Sequence, residues 1–94
     1  MKIEWLPVAE SNRDRQLDYL AERNPRAAVK MGDAIDFSVG QLADHPRLGR
    51  PGRVRGTREL VVAGTPYVIA YRIEADAVVI LRLLHGKQKW PADL

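Results

Sequence analysis

The stretch TRELVVAGTPYVIAYRIEADAVVILRLLHGKQKW, from Thr57 to Trp90, decides the fold of this chain. It holds three strand patterns separated by two short turns, Ala63–Pro66 and Glu74–Asp76. The last pattern, Val78–Leu84, is β-branched and leucine-rich, which is typical of a central strand. Strands joined this closely predict an antiparallel three-stranded meander.

The middle strand alternates with a period of two, so its side chains divide between two faces. We expect one set to face the helices of the domain: Tyr67, Ile69, Tyr71 and Ile73. The other set then lies on a relatively open face: Val68, Ala70 and Arg72.

The first half of the chain predicts a short strand and two helices. Ile3 and Trp5 alternate with charged residues, as in a strand. Pro7 suits the first position of a helix that runs to about Arg23, although residues 10–16 are entirely polar and must be solvated or face a partner.

A second helix follows almost without a connection. Asn24 is a good N-cap and Pro25 a good first residue for it. Apolar residues at three- and four-residue spacing continue to about Asp44, where His45-Pro46 ends the helix. The two helices therefore form an antiparallel hairpin.

These elements predict a single α+β domain over residues 1–94, in the order β-α-α-β-β-β. The N-terminal strand joins one edge of the sheet, and the helical hairpin covers one face. With 94 residues, of which 46% are hydrophobic, the chain can bury one core.

Composition excludes several classes of site. There is no cysteine, and the only two histidines, His45 and His85, lie far apart, so we expect no disulfide, metal or other cofactor. Charges at Lys2 and Glu4 argue against a signal peptide, and no apolar run approaches the roughly 20 residues that span a bilayer. A cytoplasmic location is expected.

Positive charge is concentrated in one segment. The net charge is +3, and residues 47–58 contain five arginines and no acidic residue: Arg47, Arg50, Arg53, Arg55 and Arg58. Most of them lie in the segment His45–Gly56, hereafter the arginine connector. Such a segment binds nucleic acid or an acidic protein segment, or it is simply a solvated loop. The two strand arginines, Arg72 and Arg82, need a partner if buried, and Glu59 is the expected one.

Three other side chains allow two interpretations each. His85, at the end of the last strand, is either a general base or a residue that caps the strand by hydrogen bonding. Tyr67 and Tyr71 either stack on RNA bases or pack in the core, and our assignment of faces favours the core. Trp90 either anchors a partner or packs over the edge of the sheet.

Four motifs carry a resemblance over nearly the whole chain. They are His-Pro-Arg-Leu-Gly-Arg at 45–50, Arg-Glu-Leu-Val-Val at 58–62, Pro-Tyr-Val-Ile-Ala-Tyr-Arg at 66–72 and Ile-Leu-Arg-Leu-Leu-His-Gly-Lys-Gln at 80–88. The chain resembles toxins of the RelE/ParE superfamily, known also as plasmid stabilisation proteins, which form the toxic half of bacterial type II toxin–antitoxin pairs. The predicted order of elements matches the fold of that superfamily.

The resemblance implies one of two activities, both leading to growth arrest. RelE-like members cut mRNA on the ribosome, whereas ParE-like members poison DNA gyrase. The two arginines that RelE-like members use fall here on Val68 and Gln88, and the tail after Trp90 has no tyrosine. The resemblance is therefore nearer to ParE, and a nuclease would need a replacement site built from His85, Lys87, Arg55 and Arg58.

We accordingly expect a ParE-like gyrase inhibitor that a cognate antitoxin neutralises. The alternatives are a ribosome-dependent mRNA endonuclease and an inactive relic that only binds antitoxin; a homodimer or a hetero-oligomer with the antitoxin is also open. An acidic antitoxin segment would fold along the helices and the sheet edge near the arginine connector. The residues expected to contact antitoxin or target are Arg50, Arg53, Arg55, Arg58, Arg72, Arg82 and Trp90.

Overall fold

Two helices and five strands make up the chain, and the computed structural model describes all residues, 1–94. The elements are β1 (Lys2–Trp5), α1 (Pro7–Arg23), α2 (Pro25–Asp44), β2 (Arg50–Pro51), β3 (Arg58–Val61), β4 (Tyr67–Glu74) and β5 (Ala77–His85). The strands form one sheet in the order β1-β5-β4-β3-β2. This confirms the α+β prediction with the N-terminal strand at an edge, and adds the short strand β2 at the other edge.

Both helices begin and end where local sequence predicts. Pro7 is the first residue of α1, and the side chain of Asn24 caps α2 by accepting a hydrogen bond from the Ala27 N–H at 3.1 Å. His45 ends α2 directly before Pro46. Neither helix combines the length and the apolar character that a membrane span requires.

The helical hairpin follows the first strand, β1, which lies at one edge of the sheet. β1 pairs in parallel with β5, from Lys2 opposite Ala77 to Trp5 opposite Ile80. The other pairs are antiparallel, so β5 lies inside the sheet between the first strand and β4. Buried residues of α1 and α2 share one core with β4 and β5, so the hairpin packs on one face of the sheet.

The core lies between the hairpin and that face. Ile69 and Tyr71 of β4 are fully buried in it, and Tyr67 and Ile73 pack against it from the ends. The predicted inward face of β4 is therefore confirmed. Buried residues of α2 and β5 complete the core, among them Ile35, Leu42, Val78, Ile80 and Leu83.

The expectation of a relatively open second face is wrong. Val68 and Ala70 are only 5% and 0% exposed, and Val79 and Leu84 of β5 are equally buried. Glu59 of β3 lies opposite Ala70, so its side chain belongs to this face. It binds Arg53, whose guanidinium stacks on Trp90, and this places the C-terminal tail over the sheet.

A β-bulge interrupts the pairing of β4 with β5. Ala70 lies opposite Arg82 but Tyr71 lies opposite Ile80, so Leu81 is an extra residue in β5. Beyond Ile80, β1 no longer accompanies β5, and the Leu83 N–H donates instead to Asn12 Oδ1 of α1 at 3.2 Å.

The polar first half of α1 is largely solvated, as expected, with Glu10, Ser11, Asp14 and Arg15 exposed, but its other side chains bind within the chain. Besides Asn12, Gln16 accepts a hydrogen bond from the Tyr67 hydroxyl at 2.8 Å. Arg13 pairs with Asp36 of α2 at 3.1 Å.

Candidate functional site

A buried carboxylate organises the arginine connector. Glu59 is 4% exposed, and its two oxygens accept from Arg50 Nη2 at 3.0 Å, Arg53 Nε at 3.2 Å and the Arg53 backbone N–H at 2.8 Å. The expected pairing of Glu59 with Arg72 or Arg82 is wrong. The short strand β2 sets Arg50 directly opposite Glu59, whereas Arg82 lies two strands away.

Two opposing effects act on the Glu59 carboxyl. Burial by itself would raise its pKa, because desolvation disfavours the charged form. The hydrogen bonds from the Arg53 backbone and side chain and from Arg50 outweigh burial and hold the pKa below its ordinary value. Glu59 is therefore a charged anchor at neutral pH.

Arg53 links this anchor to the C-terminal tail. Its guanidinium carbon lies 3.7 Å from the centre of the Trp90 ring, a close cation–π contact. The Trp90 Nε1 is buried and has no hydrogen-bond partner. Of the two interpretations of Trp90, this contact supports packing on the sheet, since Arg53 covers one face of the ring.

Arg58 holds the other side of the connector. Its Nη1 donates to the Gly49 carbonyl at 2.7 Å and to the Arg47 carbonyl at 3.4 Å. Nearby, the Tyr71 hydroxyl donates to the Pro46 carbonyl at 2.7 Å and accepts from the Gly49 N–H at 2.9 Å. Residues 46–49 are thereby fixed against the middle of β4.

Burial raises the pKa of the Tyr71 hydroxyl, and the Gly49 hydrogen bond and the nearby charge of Arg58 partly oppose it. The net effect keeps Tyr71 protonated, as its role of donor to Pro46 requires. Tyr71 is therefore a structural residue of the core and is not available to stack on a base.

The remaining predicted arginines lie apart from this cluster. Arg72 pairs with Glu74 on its own strand at 2.7 Å. Arg82 Nη1 donates to the Leu81 carbonyl at 2.7 Å, next to the bulge. Arg55 is exposed in the turn between β2 and β3. The arginines thus form no single surface: three surround Glu59 and Gly49, and three are dispersed.

His85 caps the end of β5. Its Nδ1 accepts from the Lys87 N–H at 3.1 Å, and its own backbone N–H donates to Gln88 Oε1 at 3.0 Å. Its ring meets Tyr67 edge-on, with the centroids 5.4 Å apart. The burial of Tyr67 raises its pKa, with a smaller contribution from Tyr19, so Tyr67 stays a hydrogen-bond donor to Gln16. This geometry supports the interpretation of His85 as a capping residue.

The residues of the replacement nuclease site are not brought together. His85 lies opposite Tyr67, whereas Arg58 lies opposite Tyr71, four residues further along β4. Four residues along a strand span roughly 13 Å, and the two strand spacings between β3 and β5 add about 10 Å across the sheet. Arg58 and His85 therefore cannot contact one phosphate. Arg55 lies in the turn before β3, which joins the end of β3 that is away from His85.

Sequence reasoning overlooked Arg47. It is one of the five arginines of residues 47–58 and is not among the predicted site residues, yet it lines a surface recess together with Arg58. Its place in His-Pro-Arg-Leu-Gly-Arg, directly before residues that the buried Tyr71 fixes, was the available indication. Glu59 was noticed only as an ion-pair partner, because its burial depends on a strand that is two residues long.

Relatives in sequence are toxins. Y4kP of Sinorhizobium fredii, which carries a toxin designation, is 42% identical over 90 residues, covering 96% of this chain and 93% of the relative. Toxin RelE3 of Caulobacter vibrioides is 36% identical over 89 residues, covering 93% and 96%. Toxin RelE1 of the same species is 31% identical over 83 residues, covering 86% and 88%.

Solved structures agree in fold. The chain is similar to one in the chromosomal ParDE toxin–antitoxin system of P. aeruginosa, with a TM-score of 0.78 and 27% identity over 88% of this chain and 92% of that one. It is also similar to one in the toxin–antitoxin complex RelBE2 of Mycobacterium tuberculosis, with a TM-score of 0.61 and 28% identity over 89% and 95%. Residues 3–90 match the model of the family described as the ParE toxin of the type II toxin–antitoxin system parDE. With its fold, its motifs and its relatives in agreement, the chain belongs to the ParE toxin family of type II toxin–antitoxin systems.

Proposed function

We propose that this chain inhibits DNA gyrase, as ParE-like toxins do, and that direct binding of a cognate antitoxin neutralises it in the cytoplasm. The observation that carries the proposal is the state of the two positions where RelE-like toxins have arginines. Val68 is apolar and buried in the sheet, and the Gln88 side chain is bonded to the His85 backbone.

Phosphodiester cleavage depends on cations and donors aimed at the charge that develops on the phosphate. Losing one such donor typically costs about 10² to 10³ in rate. This chain lacks both arginines, and the lysines that follow His85, Lys87 and Lys89, are exposed. The geometry therefore supports a toxin that acts by binding.

The names of the matched proteins do not decide between the activities, because they include both ParE and RelE toxins. The choice rests on the residues of this chain. At the end of its sheet, Tyr67 and His85 contact each other and are engaged in hydrogen bonds within the chain, which does not favour a role in RNA cleavage.

The antitoxin part of the proposal is supported by exposed apolar side chains on the helical hairpin. Tyr19, Val29 and Phe37 are each 60% exposed or more. A shallow groove of about 420 Å³ lies nearby, between the hairpin and the β3–β4 turn, and is lined by Leu20, Ala27, Lys30, Met31, Ala34, Ala63, Gly64 and Thr65. The two solved structures described above come from toxin–antitoxin systems.

These features fit an amphipathic segment that folds on binding. Its apolar side chains would cover the hairpin, and acidic side chains would complement the arginines of the connector. The antitoxin proposed here is therefore acidic in the part that contacts the toxin.

Gyrase-catalysed supercoiling of a relaxed plasmid tests the proposal. We expect the purified toxin to abolish supercoiling and to cause linear, protein-linked DNA to accumulate. The same toxin mixed beforehand with its antitoxin should leave supercoiling intact. His85→Ala, measured in parallel, should inhibit gyrase as the unchanged toxin does, because His85 has no catalytic part in this activity.

Undisturbed supercoiling by a folded protein that arrests growth would contradict the gyrase target. Loss of toxicity in His85→Ala, with folding and antitoxin binding retained, would then support mRNA cleavage on the ribosome. Normal growth during expression of the folded toxin without antitoxin would instead support a relic that only binds antitoxin.

A further inference from the structure

A surface recess beside the arginine connector has two arginines and no acidic residue in its lining. Its volume is about 330 Å³, and it is lined by Arg47, Pro51, Gly56, Thr57, Arg58 and Ile73. No acidic residue lines it, because Glu59 points to the opposite face of the sheet and is bound to Arg50 and Arg53. The recess is separate from the end of the sheet where His85 lies.

One edge of the Arg58 guanidinium makes no hydrogen bond within the chain. Nη1 donates to the carbonyls of Gly49 and Arg47, and these are the hydrogen bonds that the side chain makes. Nε and Nη2 are therefore free, and together they form the edge that can hold both oxygens of one carboxylate. Since two carbonyls fix the guanidinium in place, little further ordering is needed when this edge binds an anion.

Arg47 supplies a second cation at the same recess. Its backbone carbonyl accepts from Arg58, while its exposed side chain has no ion pair. The hydroxyl of Thr57 already donates to the Val54 carbonyl, so the two guanidinium groups are the available donors of the lining. Two adjacent positive charges without a counter-charge favour an anionic occupant.

The surroundings favour a carboxylate side chain over a nucleic acid strand. Strands of nucleic acid are held by aromatic surfaces on which bases stack as well as by cations. Here Tyr71 is buried and the ring of Trp90 is covered by Arg53. The apolar walls of the recess, Pro51 and Ile73, instead suit the methylene groups of one amino-acid side chain.

We propose that this recess binds one glutamate or aspartate side chain from the acidic segment of the antitoxin. The proposal rests on the antitoxin partnership proposed above. It assigns to Arg58 the bidentate contact and to Arg47 a second, flexible contact that closes over the carboxylate.

The first test uses a small probe and needs neither antitoxin nor gyrase. The ¹H–¹⁵N resonance of the Arg58 Nε–H group is followed while N-acetylglutamate N-methylamide is added at constant ionic strength. We expect a saturable shift, and none with N-acetylglutamine N-methylamide, which has the same shape without the charge. Arg47→Gln should weaken the binding about tenfold, a typical loss for one charged contact.

Arg26→Gln is the matched control, because Arg26 is exposed on the first turn of α2 and lies outside the recess. It removes the same charge and should leave the affinity for the probe unchanged. An absent shift in the unchanged protein would overturn the carboxylate site. So would an equal loss of affinity in the two variants, since this would reflect net charge alone.

Titration with inorganic phosphate tests whether the recess prefers a phosphate to a carboxylate. Phosphate that binds tenfold more tightly than the carboxylate probe would overturn the assignment in favour of a phosphate ligand. If the carboxylate binds but Arg47→Gln and the unchanged toxin bind the antitoxin equally well, the antitoxin is not the occupant. Because the probe experiment is independent of toxicity, failure of this proposal leaves the proposed function standing, and failure of gyrase inhibition leaves the carboxylate site standing.

Discussion

Glu59 is the only charged residue that the fold buries. Its environment is costly for a carboxylate unless hydrogen bonds replace the lost water, and the connector arginines provide them. One side chain thereby fixes strand β2, the following turn and, through Arg53, the tail at Trp90. Removing its charge should loosen all three.

Glu59→Gln should lower the free energy of unfolding by about 1–3 kcal/mol near neutral pH, because charge-assisted hydrogen bonds are replaced by weaker ones. The folded-state pKa of Glu59 lies below its value of 4.5 in the unfolded chain. Its stabilising contribution is therefore present above that value and is lost as the pH falls through the lower folded-state pKa. Urea unfolding of both proteins from about pH 7 to about pH 3 measures the difference, which should shrink at the acid end. A constant difference would contradict this account.

Gly49 is required by close packing. A Cβ built on it would lie 2.7 Å from the Tyr71 hydroxyl oxygen and 2.8 Å from the Glu59 carbonyl oxygen. Gly49→Ala should therefore lower the free energy of unfolding by about 1–3 kcal/mol through overpacking. Gly40→Ala is the control, since Gly40 lies in α2 with open space around it, and it should raise stability by about 0.5–1 kcal/mol. Thermal unfolding of both variants checks the pair, and equal effects would refute the packing argument.

At the scale of elements, the bulge in β5 makes α1 part of the sheet's hydrogen bonding. Asn12 accepts from the Leu83 N–H at the place where β1 has ended. An unpaired buried N–H is expensive, so this contact ties the helix to the central strand.

Asn12→Ala should lower the free energy of unfolding by about 1–3 kcal/mol, because it leaves the Leu83 N–H without an acceptor. Asn12→Asp keeps an acceptor oxygen at the same place and should retain most of the stability. Hydrogen exchange at the Leu83 amide gives a local measurement, and it should accelerate in the alanine variant alone. Unchanged protection in Asn12→Ala would show that another group satisfies this amide.

The elements differ in how far sequence can predict them. The two helices were predictable to the residue because Pro7, Asn24-Pro25 and His45-Pro46 act locally. β2 and the bulge were not, since both depend on how distant segments align. The pairing of Glu59 was misassigned for the same reason: Arg50 becomes its neighbour only once β2 forms.

For the whole molecule, the meander, the edge position of β1 and the inward face of β4 followed from periodicity and connection length. The covering of the second face did not, because it depends on an arginine, a tryptophan and a carboxylate from three separate segments. The same limit applies to the candidate site. Sequence identified the arginines, but only the fold shows which are engaged, which are dispersed and which line the recess.

Of the five strands, β5, which lies inside the sheet, is synthesised last and β1 first. Their pairing joins residues more than seventy positions apart, from Lys2 with Ala77 to Trp5 with Ile80. Pairing over such distances slows folding, since a long loop must close before any contact compensates its lost entropy. A growing chain therefore displays the apolar side of its helical hairpin before any sheet exists to cover it. The toxin therefore completes its fold only after its synthesis. During this interval a binding protein can capture the exposed hairpin before the sheet covers it.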